Sequence, residues 1–367
     1  MLKALSVAVL FLVAGCGQCI DCSEAADPID SVSDIAVDET VVFFRTSGWL
    51  DEVNQQWHLP VHGWIYEPQE SVVRLAAFEK LLDEKYGLVV NAQTQGNFSR
   101  RLNLIIADSE RGKTIVIKLA GKKHTLPASA EDGHFESTIV ISTEDAAKYG
   151  KNGLIAYSAV VGDAESRNFG GAIRLLDTDG ISVISDIDDT VKVSNVGDHK
   201  NLLEQTFLQD FAAAPGMATV YREWSTDDTG FHFVSSSPWQ LYEPLQEFLD
   251  QHGFPWSSFS LKSIRFRDET LLDLFKKGTE TKPAAIEKIL DQYPDRDFIL
   301  VGDSGEQDPE VYAELLRSRP EQISKVYIRN VTQASKDDER FASVFDGIDA
   351  DRWQLFENPE VLTLSSP

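Results

Sequence analysis

The sequence predicts an α/β fold, a Rossmann-like parallel sheet over residues 180–367, preceded by a β-rich, sandwich-like domain over residues 39–179. Three observations carry that expectation. After Ile181, short apolar runs (ISVIS, FHFVS, DFILVG, KVYIR) alternate with amphipathic stretches (WQLYEPLQEFLDQHG, PAAIEKILDQY), as strands alternate with helices. The runs themselves are apolar throughout, which suits a parallel sheet covered on both faces, where ligands sit at the carboxyl ends of the strands. From Thr40 to about Asp179 the pattern is instead mostly strand-like, with apolar residues falling on one face.

Length and charge bound the rest. The 367 residues suffice for about two domains of roughly 150 residues each. With 42% hydrophobic and 25% charged residues, wholesale disorder, a collagen-like fibre and a multi-span membrane protein are excluded. The 59 acidic against 34 basic side chains, a net charge of −25, argue against a nucleic-acid partner, because backbone binding is driven by Lys and Arg. An anionic substrate would need local compensation, most simply from a metal ion.

In chain order, ALSVAVLFLVAG (residues 4–15) follows Lys3 and is too short for a spanning helix of about 20 residues. It reads as the core of a signal peptide covering residues 1–15. The run Leu12-Val13-Ala14-Gly15-Cys16 resembles the lipobox of bacterial lipoproteins, which implies a lipidated Cys16 at the mature N-terminus and anchorage in the cell envelope. Gly17 after it favours the outer membrane. Cys16, Cys19 and Cys22 form C-x2-C-x2-C, one ligand short of a four-cysteine metal set, with no later cysteine to complete it. A Cys19–Cys22 disulfide would constrain little. Residues 16–38 are small and acidic, a tether.

Within the β-rich domain, KTIVIKLAG places Ile115, Ile117 and Leu119 on one face, RLNLIIAD does the same with Leu102, Leu104 and Ile106, and ESTIVIS is a β-branched run. One helix is expected, PQESVVRLAAFEKLLDEKYG, with Pro68 at its start, Val72, Leu75, Phe78 and Leu82 at near-helical spacing, and Gly87 as a stop.

The chemistry lies in the second domain, where three strand ends are each followed by polar residues. Asp186, Asp188 and Thr190 emerge from ISVIS; Ser235 and Ser236 end FHFVSSS before Pro238; Asp303 and Asp308 flank the turn after FILVG, before Pro309. Taken singly, each is a solvated turn or a helix cap. An EF-hand-like loop is disfavoured by Val191 at its sixth position. Together with Lys282, at the start of the helix before the third strand, they form a kit for metal-dependent phosphoryl transfer.

The arrangement resembles the haloacid dehalogenase superfamily, whose four motifs occur here in order. SVISDIDDTVK, PGMATVYREW, FHFVSSSPWQLYEPLQEFL, IEKILDQYPDRDFILVGDSGEQDPEVYAEL and VYIRNV look like the catalytic domain of the actin-patch phosphatidate phosphatases of fungi and their bacterial relatives, over about residues 171–335. VVFFRTSGWL looks like the accessory region of the bacterial members. The resemblance implies Asp186 as nucleophile and Asp188 as general acid and base, a role that requires a pKa raised by neighbouring carboxylates, which the sequence does not show. It also implies Mg²⁺ held by Asp186, the Asp188 backbone carbonyl and Asp303, with Asp308 direct or through water. Thr190, Ser235, Ser236 and Lys282 form the implied substrate-binding set, Thr190 by fixing the loop and Ser236 through its backbone amide. Residues 191–230 are expected as a flap, and Arg265 and Arg267 either meet a lipid phosphate or lie on a solvated edge strand.

The expected function is a membrane-anchored, Mg²⁺-dependent phosphatase of a lipid phosphomonoester such as phosphatidate, releasing diacylglycerol and phosphate. A soluble phosphomonoester is the alternative substrate. A serine esterase built on Gly302-Asp303-Ser304 is disfavoured because no histidine follows Ser304. A surface lipoprotein that only binds is disfavoured by the presence of both Asp186 and Asp188.

Overall fold

The computed structural model describes residues 32–163, 165–264 and 281–364; Cys16, Cys19, Cys22, Arg265, Arg267, the expected signal peptide and most of the tether lie outside them. The N-terminal half is organised by one long strand. The chain forms β1 (Thr40–Phe43), β2 (Thr46–Asp51) and β3 (Gln56–Glu67), and β3 pairs antiparallel with β1 and β2 along one edge. After α1 (Val72–Tyr86) and α2 (Gln95–Ile105) come β4 (Asp108–Ser109), β5 (Val116–Leu119), β6 (Lys122–Thr125) and β7 (His134–Ser142). Then follow α3 (Thr143–Tyr149), β8 (Leu154–Ala159) and β9 (Gly170–Leu176). The strands join in one sheet of order β1-β3-β2-β9-β8-β5-β6, with β4 and β7 also on β3. The sheet curls over a single core of Leu59, Ile117, Phe135, Ile155 and Ile173, where Phe43 meets Phe135 and Tyr157 edge to face at 5.7 and 5.0 Å.

The helix expected after Pro68 is α1, capped by the Ser71 side chain and ended by Gly87 at φ 62°. The segment RLNLIIAD is not a strand: it belongs to α2, whose buried residues Phe98, Arg101, Leu102 and Ile105 recur at helical spacing. Viewed from Arg101 onward, the segment is too short to separate a period of 2 from one of 3.6; Phe98, one turn earlier, decides it. The third helix, α3, is a short one capped by Ser142, with Glu144 and Asp145 in its first turn.

The C-terminal half continues with β10 (Ile181–Ser185), α4 (His199–Phe207), α5 (Met217–Trp224), β11 (Gly230–Pro238), α6 (Tyr242–Gln251) and β12 (Ser258–Lys262). It ends with α7 (Thr281–Gln292), β13 (Asp297–Asp303), α8 (Asp308–Ser318), β14 (Ile323–Arg329), α9 (Glu339–Val344) and β15 (Trp353–Phe356). Among the described residues its six strands are all parallel, in the order β12-β11-β10-β13-β14-β15. Both faces are covered, as the apolar runs require: Val183, Phe231 and Phe233 pack with α5 and α6, and Ile184, Leu300 and Val326 with α7 and α8. The order in which strands are added reverses at β10, the kind of switch point at which parallel sheets place ligands, at the carboxyl ends of β10, β11 and β13.

The stretch 191–230 is a packed layer rather than a flap. Phe207, Val220, Tyr221 and Trp224 are buried in the core shared with β10, and the Tyr221 hydroxyl donates to Ser185 Oγ at 2.8 Å. Large apolar side chains at helical spacing in both α4 and α5 leave it no polar underside to lift.

The two sheets are joined by residues 177–180, and the buried Arg296 gathers this link by donating to the carbonyls of Asp177, Asp179, Ile181 and Asp228 and to Ser182 Oγ. One apolar core runs from Phe44, Trp64, Tyr66 and Phe78 into Phe233, Trp239 and Tyr242. Phe44 stacks on Trp239 at 4.2 Å, and Arg45 and Arg100 pair with Asp250 and Glu247 of α6 at 2.8 and 2.5 Å. No described helix is long and apolar enough to cross a membrane.

Candidate active site

The first strand end supplies the central carboxylate. The Asp186 N–H donates to the Val301 carbonyl at 2.9 Å, tying the end of β10 to β13. Its Oδ2 accepts from Thr190 Oγ1 at 3.2 Å, and its Oδ1 lies 2.9 Å from Lys282 Nζ. Burial pushes the Asp186 carboxyl well above the usual range; Lys282 opposes this, while Asp308, Glu306 and Asp303 add to it.

Asp188, two residues on, sits in a different field. Lys192 Nζ and Ser194 Oγ each lie 2.6 Å from its Oδ1, and Ser237 Oγ and Ser235 Oγ donate to its Oδ2 at 2.8 and 3.3 Å. Burial alone would raise its pKa, but Lys192 and these hydroxyls overcome burial and hold it at about 2. The raised pKa that an acid role requires is thus not a property of the free protein: the dominant neighbour is a cation, not another carboxylate.

Directly after Asp188, Asp189 adopts φ 56°, a left-handed conformation that Asp tolerates better than most residues. The turn is held by that carboxylate, which accepts from the backbone N–H groups of Ser194, Asn195 and Val196 at 2.7–2.8 Å. Arg329, at the end of β14, donates to the Asp189 carbonyl at 2.6 Å.

The third strand end and α7 complete the pocket. Lys282 Nζ lies 2.5 Å from Asp308 Oδ1 and 3.3 Å from Glu306 Oε2, besides Asp186. Burial works against its charge, yet Asp186, Asp308 and Glu306 hold its pKa well above the ordinary lysine value. Asp303 Oδ1 accepts from the N–H groups of Gly305 and Glu306 at 2.6 and 3.2 Å, while Asp303 N–H donates to Asp308 Oδ2 at 3.1 Å. Gly302 is required by proximity: a Cβ there would lie 2.4 Å from Asp308 Oδ2.

Of the expected residues, Asp186, Thr190, Lys282, Asp303 and Asp308 meet directly; Ser235 reaches the group through Asp188, and Ser236 lies half-buried beside it at the end of β11. Ligand oxygens of Asp186, Asp303 and Glu306 lie within 4.8 Å of one another, and Asp303 Oδ2 is buried with no hydrogen-bond partner. Three hard oxygens, one of them unsatisfied, fit a hard divalent cation. Asp308 stands behind this cluster, with both its oxygens engaged by Lys282 and the Asp303 amide. Sequence reasoning missed Glu306, Asp189, Lys192, Ser194 and Ser237. Glu306 had a signal, an acid inside the same Gly-rich turn; the others needed the loop's path.

Residues 181–330 match the family described as "Phosphatidate phosphatase APP1, catalytic domain". Phosphatidate phosphatase APP1 of Saccharomyces cerevisiae and an uncharacterised protein of Schizosaccharomyces pombe are each 33% identical over 162 residues, 43% of this chain. The chain spans about a quarter of the length of these relatives, 27% and 26%. Among solved structures, an exo-chitosanase of Amycolatopsis orientalis is similar over 81% of this chain and 33% of its own, at 8% identity and a TM-score of 0.24, too slight a likeness to bear on the fold. The carboxylates, lysine and hydroxyls of the four motifs are thus assembled at one place inside the segment, residues 181–330, that is similar to the phosphatidate phosphatase APP1 catalytic domain.

Proposed function

We propose that the protein is a divalent-cation-dependent phosphatase of a lipid phosphomonoester such as phosphatidate, acting through an aspartyl-phosphate on Asp186. The observation that carries this reading is the convergence of Thr190, Lys282, Asp303 and Glu306 on the buried Asp186 carboxylate. Asp186 attacks phosphorus, so that a carboxylate oxygen–phosphorus bond forms as the bond to the alcohol oxygen breaks. Water then hydrolyses the acyl phosphate, releasing phosphate after diacylglycerol. Lys282 is placed to meet the phosphoryl oxygens, where negative charge gathers. Asp186, Asp303 and Glu306, with the Asp188 backbone carbonyl, would hold Mg²⁺, whose charge lets the carboxylate and phosphate approach one another. Asp308 serves this set through Lys282.

Asp188 is ionised in the free protein and so is ready as the base for the attacking water. A phosphoryl group entering beside it brings negative charge and raises its pKa, so that Oδ2 takes up the proton of the phosphate monoanion and passes it to the leaving oxygen; the carboxylate so restored is the base for the water. A lipid substrate is favoured by the yeast relative's name and by the lipobox-like run ending at Cys16, which would hold the protein at a bacterial envelope membrane.

The test is phosphate release from phosphatidate in mixed micelles by the full chain, with Mg²⁺ or EDTA, beside Asp186→Asn and a soluble phosphomonoester. Metal-dependent release that is lost in Asp186→Asn and greater for phosphatidate is expected. Equal release by the variant refutes the nucleophile; preference for the soluble ester refutes the substrate. No release from either ester by the folded protein favours a binding role.

A further inference from the structure

We infer that Lys192 is the positioning residue of the acid–base carboxylate, and that the N-terminal half of the chain supports the reaction through it; this rests on the phosphatase reading above. Lys192 is only 2% exposed. A buried ammonium is costly unless fully paired. Here its partners converge on one group: Asp188 Oδ1 and Ser194 Oγ, both at 2.6 Å, and Ser194 itself donates to the same Oδ1.

The consequence is geometric. One oxygen of Asp188 is held from the loop side by a cation and a hydroxyl, which blocks rotation of the carboxylate. The other, Oδ2, is thereby turned to the end of β11, beside Ser235 and Ser237. Oδ2 is therefore the atom offered for proton exchange with substrate, while Lys192 keeps its own proton and contributes position and field.

The lysine is itself clamped. Its N–H donates to the Ile187 carbonyl at 2.9 Å, its carbonyl accepts from Asp189 N–H at 2.7 Å, and the next residue, Val193, donates to Ala212 at 2.9 Å. Its Nζ lies 4.7 Å from the centre of the Phe211 ring. That ring is 3.8 Å from the guanidinium carbon of Arg101 on α2, a buried arginine that donates to the carbonyls of Thr206 and Gln209 at 3.0 and 2.7 Å. A line of direct contacts thus runs from α2, outside the matched segment 181–330, through Phe211 and Lys192 to Asp188.

The experiment exploits the leaving group. An alkyl alcohol needs a proton to depart, whereas p-nitrophenolate does not, so a misplaced general acid slows only the former. Single-turnover cleavage of dihexanoyl phosphatidate and of p-nitrophenyl phosphate is measured with Mg²⁺ for the wild type and Lys192→Met. The variant is expected to cleave the alkyl ester about 30-fold or more slowly, within the 10²–10⁴ that general acid catalysis supplies, and the nitrophenyl ester less than about threefold more slowly, with KM for both within about twofold. Equal slowing of both esters, or of neither, in a folded variant overturns the inference. Should Lys192→Met not fold, Phe211→Leu keeps the lysine and is expected to shift the ratio of the two rates in the same direction by about 3–10-fold; an unchanged ratio overturns the inference equally. A wild type inert toward both esters, or an Asp186→Asn variant as active as wild type, overturns the phosphatase reading and takes this inference with it.

Discussion

Replacing Lys282 with methionine keeps most of the side-chain volume and removes a charge that lies 2.9, 2.5 and 3.3 Å from carboxylates of Asp186, Asp308 and Glu306. At an effective dielectric constant of about 20, a pair of unit charges roughly 3 Å apart attracts by about 5 kcal/mol before desolvation is charged against it. Desolvation cancels most of that, and breaking a buried pair from one side costs about 3–5 kcal/mol net. Because the folded-state pKa of Lys282 is raised, its contribution is fully present below the unfolded value of about 10.4 and is lost only as pH rises through the folded value. The variant is therefore expected to lose about 3–5 kcal/mol in urea unfolding at pH 8 in EDTA. Asp186 and Asp303 have carboxyl pKa values raised by burial, and without the lysine they rise further. The folded variant then binds more protons than its unfolded chain, so its deficit shrinks from pH 8 to pH 6. Mg²⁺ at about 100 times its dissociation constant returns roughly 2.7 kcal/mol to any form that binds it only when folded. A loss below about 1 kcal/mol in EDTA at pH 8 refutes the view that Lys282 compensates the acidic cluster.

Two further outcomes are expected. His232 is 2% exposed, and burial, with Arg296 nearby, pulls its pKa down to about 3, so the unfolded chain binds the proton first as pH falls. Between pH 6.5 and 5 the wild type should lose about 1.5–2 kcal/mol more than His232→Gln in chemical unfolding; equal losses would refute the assignment. Gly302→Ala should force Asp308 from Lys282, since the new Cβ would lie 2.4 Å from Asp308 Oδ2 and 2.7 Å from the Tyr312 ring. Overpacking of this kind costs about 1–3 kcal/mol, and phosphate release should fall about tenfold or more; near wild-type release would show that Asp308 is not needed where it stands.

The C-terminal half was legible because three of its parallel strands are apolar runs that end in the site's residues: Ile181–Ser185 delivers Asp186, Gly230–Pro238 delivers Ser235, and Asp297–Asp303 delivers Asp303. Pairs made inside the loops were not legible. The salt bridge from Lys192 to Asp188 spans one turn whose path depends on Asp189 standing at positive φ, which no periodicity announces. Glu306 outranks Asp308 near Asp186 and Asp303 only because Asp308, at the start of α8, is turned back onto Lys282. In the N-terminal half, α2 was hidden because the stretch from Arg101 is too short to separate the two periods; its apolar face serves a core shared with β3, α1 and α4.

The link at residues 177–180 has a consequence for motion. Enzymes that close on substrate by swinging one lobe against another need a few residues free to change their dihedral angles. Here the carbonyls of Asp177, Asp179 and Ile181 are gripped by one buried guanidinium, and the same arginine holds Asp228 on the next strand's approach. The place where sequence would put a hinge is a weld. The β-rich half is tied to the parallel sheet at this link as well as through the core they share, so a substrate of the proposed reaction would be admitted by side chains and loops around the strand ends rather than by a swing about residues 177–180.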